Sequence, residues 1–420
     1  MNDNISYHNP ASSPRFYYGY VVVAVSFIIM VIAQGLFIVF GLFINPLLAE
    51  FGWTRAAISG AYSVSTILSG VLGIPMGGLV DRFGPRVIVT VCGVFMGVGY
   101  LLMSRVDAVW EIYLYYGVIT GIGLAGLWVP LLSPISRWFV ARRSLMTGIV
   151  MTGMTVGGII APLVVSRLIV AYDWRQTFII IGSAALIIIV VSAQLFRGDR
   201  QRLEQSIASK EGGAVTGFSA PATGYDLKEA VRTVQFWLGF FILFCFGYSI
   251  ISVAVHLVPH IIGLGISDVR AADVMAVNSG VGIIGNFVVG GIIGDRIGNR
   301  KVLLLGFTIA VASLIWLLPS NELWMFHLFA VILGIAAGSI GTSESPLVAR
   351  LFGLKNHGLI YAVFVLGFTV GGAVGPFVTG YVHDVTGSYH NAFLVCIAFM
   401  VAGLILTIFL KPTRKVGMEL

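Results

Sequence analysis

Most of this chain is apolar, so the few side chains able to do chemistry stand out. Glu344 sits amid GSIGTSES, six residues before Arg350, in a long stretch with no other acid or strong base. A carboxylate in such surroundings can take a proton and meet a cation in turn, which is the chemistry of a coupling group. The other reading is a fixed ion pair with an arginine such as Arg86 or Arg137. His256 stands three residues before Pro259. The ordinary titration range of an imidazole suits a proton-dependent gate there, the alternative being a helix-end cap. Cys92, Cys245 and Cys396 show no metal or redox spacing and read as small packing residues. With no nucleophile, metal cluster or phosphate loop in a credible setting, neither enzyme chemistry nor a cofactor is expected.

What must position these groups is written twice. TVGGIIAP at 155–162 returns as TVGGAVGP at 369–376, and GLVDRFGPR around Asp81 returns as GIIGDRIGNR around Asp295, both at an offset of 214. Arg137-Trp138-Phe139 is echoed by Arg350-Leu351-Phe352. Parallel repeats of this size point to a secondary transporter, in which a site between two rocking halves faces either side in turn.

The composition agrees. With 58% hydrophobic and 10% charged residues and a mean hydropathy of +0.96, a soluble globular fold is excluded. Twelve nearly uncharged runs are long enough to cross a bilayer as helices, the fourth reading as one continuous helix over 110–136. The expected fold is therefore an all-α membrane protein of twelve transmembrane helices in two pseudo-twofold-related six-helix bundles. They span 1–196 and 234–420 and are joined by a polar linker over 197–233. Within the linker, 226–232 reads as a short surface helix or a plain tether. An even helix count puts both termini on one side, which holds all basic residues except Arg55, Arg105, Arg167, Arg175 and Arg270. That side is expected to be cytoplasmic, and the membrane the cytoplasmic (inner) one. The same bias accounts for the net charge of +7 without a nucleic-acid partner, and the polar N-terminus does not read as a removable signal peptide.

Glycines spaced by about four, at 148, 153, 157 and 158 and again at 367, 371, 372 and 375, give the fifth and eleventh helices smooth faces for close packing, each ending at a proline, Pro162 or Pro376.

Gly77, Asp81, Arg82, Gly84 and Arg86, with Gly291, Asp295, Arg296, Gly298 and Arg300 as a second copy, resemble the loop signature of the major facilitator superfamily. The resemblance covers the whole chain. It implies that Asp81 lies near the start of the eleventh helix around His357, and Asp295 near the start of the fifth around Ser144. Arg137 and Arg350 are their expected partners in a cytoplasmic latch. The plainer reading makes these residues positive-inside anchors and helix caps. FYYGYVVVAVSF, FGWTRAAIS, HLVPHIIGLGIS and GGAVGPFVTGYVHDVTGSYHNAF further resemble the monocarboxylate and oxalate/formate transporter group, which moves small carboxylates with a proton or in exchange. The chain departs from that group in two places. Phe287 stands where carboxylate-moving relatives carry an arginine, and Phe364 where oxalate-handling relatives carry a lysine. Direct ion pairing of an anion in the cavity is therefore not expected.

The superfamily resemblance also implies that helices 1, 4, 7 and 10 line a central cavity. Candidate substrate contacts are Gln34 in helix 1, twelve residues before Pro46; Tyr116, Thr120 and Trp128 in helix 4; Tyr248 in helix 7; Asn278 and Asn286 in helix 8; and Tyr361 in helix 11. Tyr116 and Thr120, one turn apart, are expected on one face. The alternatives are a helix tie for Gln34 and an interfacial anchor for Tyr116. The expected partners are a small organic anion, protons and the lipid bilayer. The competing reading is an exporter or facilitator of neutral or amphipathic molecules, which the missing arginine and the 28 phenylalanines suit. A membrane sensor is disfavoured for want of a signalling domain.

Overall fold

The structure is a computed structural model, and it describes residues 17–140, 142–196 and 224–411; the side chains of residues 55, 56 and 268 fall outside that description. Among the described residues, twelve helices are long and apolar enough to cross a membrane. In the first half they are α1 (Gly19–Phe51), α2 (Ala57–Phe83), α3 (Pro85–Met103), α4 (Val109–Trp138), α5 (Arg143–Tyr172) and α6 (Trp174–Ala193). In the second half they are α7 (Val234–Gly263), α8 (Val269–Ile297), α9 (Asn299–Leu317), α10 (Leu323–Phe352), α11 (His357–Thr386) and α12 (Tyr389–Phe409). A backbone that satisfies its own hydrogen bonds is what lets runs of this composition cross hydrocarbon. The result is two six-helix bundles.

The repeat is visible in the backbone. α2 turns into α3 through Gly84 alone (φ 80°), and α8 into α9 through Gly298 alone (φ 87°), a left-handed reversal that glycine adopts without strain. The glycine stripes pack within their own bundles. Methyl groups added at Gly367, Gly371 and Gly375 would lie 2.6, 2.1 and 2.3 Å from the carbonyl oxygens of Phe240, Phe244 and Tyr248, three successive turns of α7. In the same way, Gly153 and Gly157 of α5 rest on the carbonyls of Phe27 and Val31 in α1.

The fourth span is not the continuous helix expected. It is helical to Ala125, breaks at Gly126–Trp128 and restarts as Val129–Trp138. Two local causes converge. Gly126 is pressed onto α3, where a methyl group would meet the Cys92 sulfur at 2.1 Å, and Pro130 fits only the first turn of a helix. Tyr113–Thr120 of α4 and Gly285–Ile293 of α8 are wound as π-helix. Within the first of these, Tyr116 stacks on Phe40 of α1 (3.9 Å between centroids) and meets Tyr100 of α3 edge-on, and Thr120 lies against Gly99 of α3, so both residues reach α3.

Between the bundles, α2 packs on α11, α5 on α8, and the Val129–Trp138 piece on α10 and α11. These contacts converge on the face that carries Asp81 and Asp295, called here the latch face. Of the polar segment joining the halves, 197–223 lies outside the described residues. Its end forms one turn, Leu227–Ala230, with Asp226 and Glu229 as a capping box. This turn is fastened to the α10–α11 loop. The Tyr225 N–H donates to the Phe352 carbonyl (2.9 Å), and Asp226 pairs with Lys355 (3.1 Å) and accepts from Asn356 (3.2 Å).

Replacing Gly371 by alanine forces its methyl group into the Phe244 carbonyl and should cost about 1–3 kcal/mol. Gly263→Ala, with nothing within 4 Å, should change stability by less than about 1 kcal/mol. Thermal unfolding of the purified protein in detergent checks both; equal losses would contradict the packing described.

Candidate functional site

Two layers of polar side chains join the bundles at the latch face. The outer layer is a repeated carboxylate-to-helix clasp. Asp81, at the end of α2, accepts from the N–H groups of Gly358 (3.1 Å) and Leu359 (3.0 Å) at the start of α11. Asp295, at the end of α8, accepts from Ser144 (2.8 Å) and Leu145 (3.1 Å) at the start of α5. The differences 295 − 81 and 358 − 144 are both 214, so each half grips the other through the same device exchanged across a pseudo-twofold. Free N–H groups and the positive end of the helix dipole make such a terminus a natural seat for a carboxylate. Close approach makes the reach possible, since a methyl group at Gly77 would stand 2.4 Å from the Gly358 carbonyl oxygen.

The copies differ in their cations. Arg137, at the end of α4, forms a salt bridge with Asp81, both side chains being 11% exposed. Arg350 does not mirror it. Among the described residues it forms no ion pair with Asp295, and its guanidinium lies beside Gly298, which a methyl group there would approach to 2.6 Å. In this copy Asn299 adds a side-chain contact instead, its amide donating to the Ser144 hydroxyl (3.0 Å). Arg82 lies over the Phe83 ring, Arg86 donates to Gln194 (2.9 Å), and Arg296 is exposed.

The inner layer crosses α4, α10 and α11. His357, Ser133, Ser136, Ser345 and Tyr361 are all fully buried, and Glu344 is 5% exposed. The Trp128 indole, at the break in α4, donates to the Tyr361 hydroxyl (3.3 Å), which donates to Glu344 Oε2 (3.3 Å). Ser136 and Ser345 share a hydrogen bond of 3.0 Å. His357 lies 3.1 Å from both the Ser345 carbonyl and the Ser133 hydroxyl. Glu344 is therefore not in a fixed pair with Arg86 or Arg137, both of which are engaged elsewhere. About eight residues, or roughly 12 Å of helix rise, separate it from the end of α10 at Phe352. The arrangement provides a carboxyl oxygen, a hydroxyl and an indole N–H in series across the line where the bundles meet.

The other candidates fall elsewhere. Gln34 is half-buried on α1. Tyr116, Thr120 and Tyr248 are buried inside their own bundles, Tyr248 against Phe399 (4.0 Å). Asn278 donates to the Ala330 carbonyl (3.0 Å) and Asn286 accepts from Thr342 (3.1 Å), so both tie α8 to α10. His256 meets the Pro376 carbonyl at 3.0 Å, joining α7 to α11. Phe287 is 40% exposed, whereas Phe364 is buried between Phe236 and Phe352. The serines 133, 136 and 345 went unnoticed in the sequence, and His357 served there only as a landmark. Ser345 lies within the SES flanking Glu344, which was the available signal.

The fold is that of a multi-pass membrane transporter built from two exchanged halves. A family model described as Major Facilitator Superfamily matches residues 25–293 and 264–419, and the chain belongs to that superfamily. It is similar to monocarboxylate transporter 13 of Rattus norvegicus, 28% identical over 394 residues that cover 92% of this chain and 87% of that protein. Monocarboxylate transporter 12 of Mus musculus is 25% identical over 96% of this chain and 88% of its own length. The uncharacterized MFS-type transporter YhjX of Escherichia coli (strain K12) is 28% identical over 70% of this chain and 71% of its own length. Among solved structures, the human organic anion transporter MFSD10 aligns with a TM-score of 0.70 at 14% identity, over 93% of this chain and 99% of that one. FucP in the outward conformation aligns with a TM-score of 0.67 at 18% identity, over 93% of this chain and 100% of that one.

The two clasps should not be worth the same. Asp81→Asn breaks a buried ion pair, at about 3–5 kcal/mol. Asp295→Asn weakens only a carboxylate at a helix start, at about 1 kcal/mol. With a Ser136→Cys reporter, maleimide labelling should accelerate strongly in the Asp81 variant and little in the Asp295 variant. Equal acceleration would contradict the assigned asymmetry.

Proposed function

We propose that this protein is a secondary active transporter that moves a small monocarboxylate across the cytoplasmic membrane by alternating access, carried with a proton or exchanged. Its units are the bundles 1–196 and 234–420 with the linker 197–233, and both termini face the cytoplasm, the side favoured by the distribution of basic residues. The observation that carries the reading is Glu344, a buried carboxyl where the bundles cross, hydrogen-bonded to a tyrosine rather than paired with an arginine. A carboxyl so placed can be neutralised by a proton when the crossing is shut and exchange it when the crossing opens. The substrate class rests on the similarity to monocarboxylate transporters over nearly the whole chain. Asp81, Arg137, Asp295 and their neighbours Gly77, Arg82, Arg86, Arg296 and Arg350 serve as the cytoplasmic gate. Trp128 and Tyr361, reaching across from opposite bundles, are the favoured substrate contacts, and Gln34 of α1 is a further candidate.

A second reading, transport of neutral or amphipathic molecules, is favoured by one observation: the position where carboxylate-moving relatives carry an arginine is Phe287. Uptake of lactate, pyruvate, formate and oxalate into proteoliposomes under an acid-outside gradient separates the two. The first reading expects accumulation of at least one of them. Glu344→Gln should lower gradient-driven accumulation at least about tenfold while sparing exchange. Accumulation that persists in the glutamine variant would remove Glu344 from coupling, and indifference to every carboxylate with efflux of apolar compounds would favour the second reading.

A further inference from the structure

We propose that His357 is a positioning residue for transport, a single imidazole that pins the start of α11 to α4 of the other bundle and holds the latch face shut. The inference rests on the alternating-access reading and adds to it the group that sets the balance between closed and open forms.

His357 is the repeat partner of Arg143, since 357 − 143 = 214. Each is the first residue of its helix and reaches back to the end of the preceding one. Arg143 donates to the carbonyls of Ser136 in α4 (3.0 Å) and of Phe139 just beyond it (3.1 Å), and His357 bonds the Ser345 carbonyl in α10. The second copy has exchanged a long cation for a short, flat ring with two bonding edges. Nε2 faces a carbonyl, which can only accept, so Nε2 carries the hydrogen. In the neutral ring Nδ1 is then an acceptor, and the Ser133 hydroxyl donates to it across the bundle boundary. One ring thereby joins α10 and α11 of the second bundle to α4 of the first.

Its surroundings make the pin consequential. The next two residues, Gly358 and Leu359, supply the N–H groups that hold Asp81. Its ring also lies nearly parallel to Tyr361 (centroids 5.9 Å apart, 24° between planes), the residue that donates to Glu344. Parting of the bundles breaks the His357–Ser133 bond together with the Asp81 seat on Gly358 and Leu359 and the Trp128–Tyr361 bond. Because the ring is fully buried, its polar edges depend on protein partners while the face is shut.

The test is a distance distribution between spin labels at Val87→Cys and Lys301→Cys, exposed positions of α3 and α9 that are themselves 214 apart; the three native cysteines are buried. His357→Ala should raise the open-to-closed ratio at the latch face roughly tenfold, and Ser133→Ala should raise it less. The double variant should go no further than His357→Ala alone, because both remove one pin. If His357→Ala fails to fold, Ser133→Ala carries the test, since it leaves the ring in place and removes only the cross-bundle bond. Distributions that superpose on the parent's while the melting temperature falls would reduce His357 to a packing residue and overturn the proposal. A parent protein that shows one unchanging separation with and without candidate carboxylates and across pH would instead overturn the alternating-access reading beneath it.

Discussion

A carboxylate seated on the first N–H groups of a helix from the opposite half is the interaction on which this architecture turns. It occurs twice, Asp81 on α11 and Asp295 on α5, and the two occurrences exchange under one offset of 214. The arrangement is self-consistent because each half supplies both the acid and the helix start the other needs. Its strength is suited to a reversible contact. A carboxylate at a helix start contributes about 0.3–2 kcal/mol, enough to favour one arrangement and too little to make it permanent. Glycines at the crossing keep backbones close enough for short side chains to span them.

Departures from the repeat gather around the same boundary. Among the described residues, Asp81 pairs with an arginine while Asp295 does not, the fourth span is broken at Gly126–Trp128, and α10 carries an acid, Glu344, in its buried stretch. The break in α4 places Trp128 beside Tyr361, and through that hydroxyl beside Glu344. Discontinuous helices at the boundary between repeats are where transporters place groups that must meet both a substrate and the opposite half. The two halves thus share one scaffold and differ in the polar groups gathered on one side of the axis.

Much of this was legible in the sequence, and the reasons are specific. Helix count and bundle pairing follow from apolar length, which the bilayer fixes, and from a duplication strong enough to survive as the TVGG echo and the repeated Asp-Arg of the loops. The Asp81 and Asp295 seats followed from the loop signature. What escaped were features set by packing. The break at Gly126 comes with its close contact to Cys92, a neighbour no local pattern reveals, and the π-winding at Tyr113–Thr120 departs from the regular helical spacing assumed there. The partner of Glu344 was sought among arginines because charge was the visible feature. Its actual partner, Tyr361, lies seventeen residues away on another helix, where only the tertiary arrangement brings the two together.

The central claim is that the bundles must part at the latch face for each cycle, and its most direct test is to forbid that parting. Ser136 and Ser345 face each other across the boundary with their hydroxyls 3.0 Å apart, so paired cysteines there are placed to form a disulfide. Oxidising the Ser136→Cys/Ser345→Cys double variant in proteoliposomes should stop uptake of whichever monocarboxylate the parent moves, and reductant should restore it. Uptake that continues at the parental rate with the cross-link quantitatively formed would contradict the account.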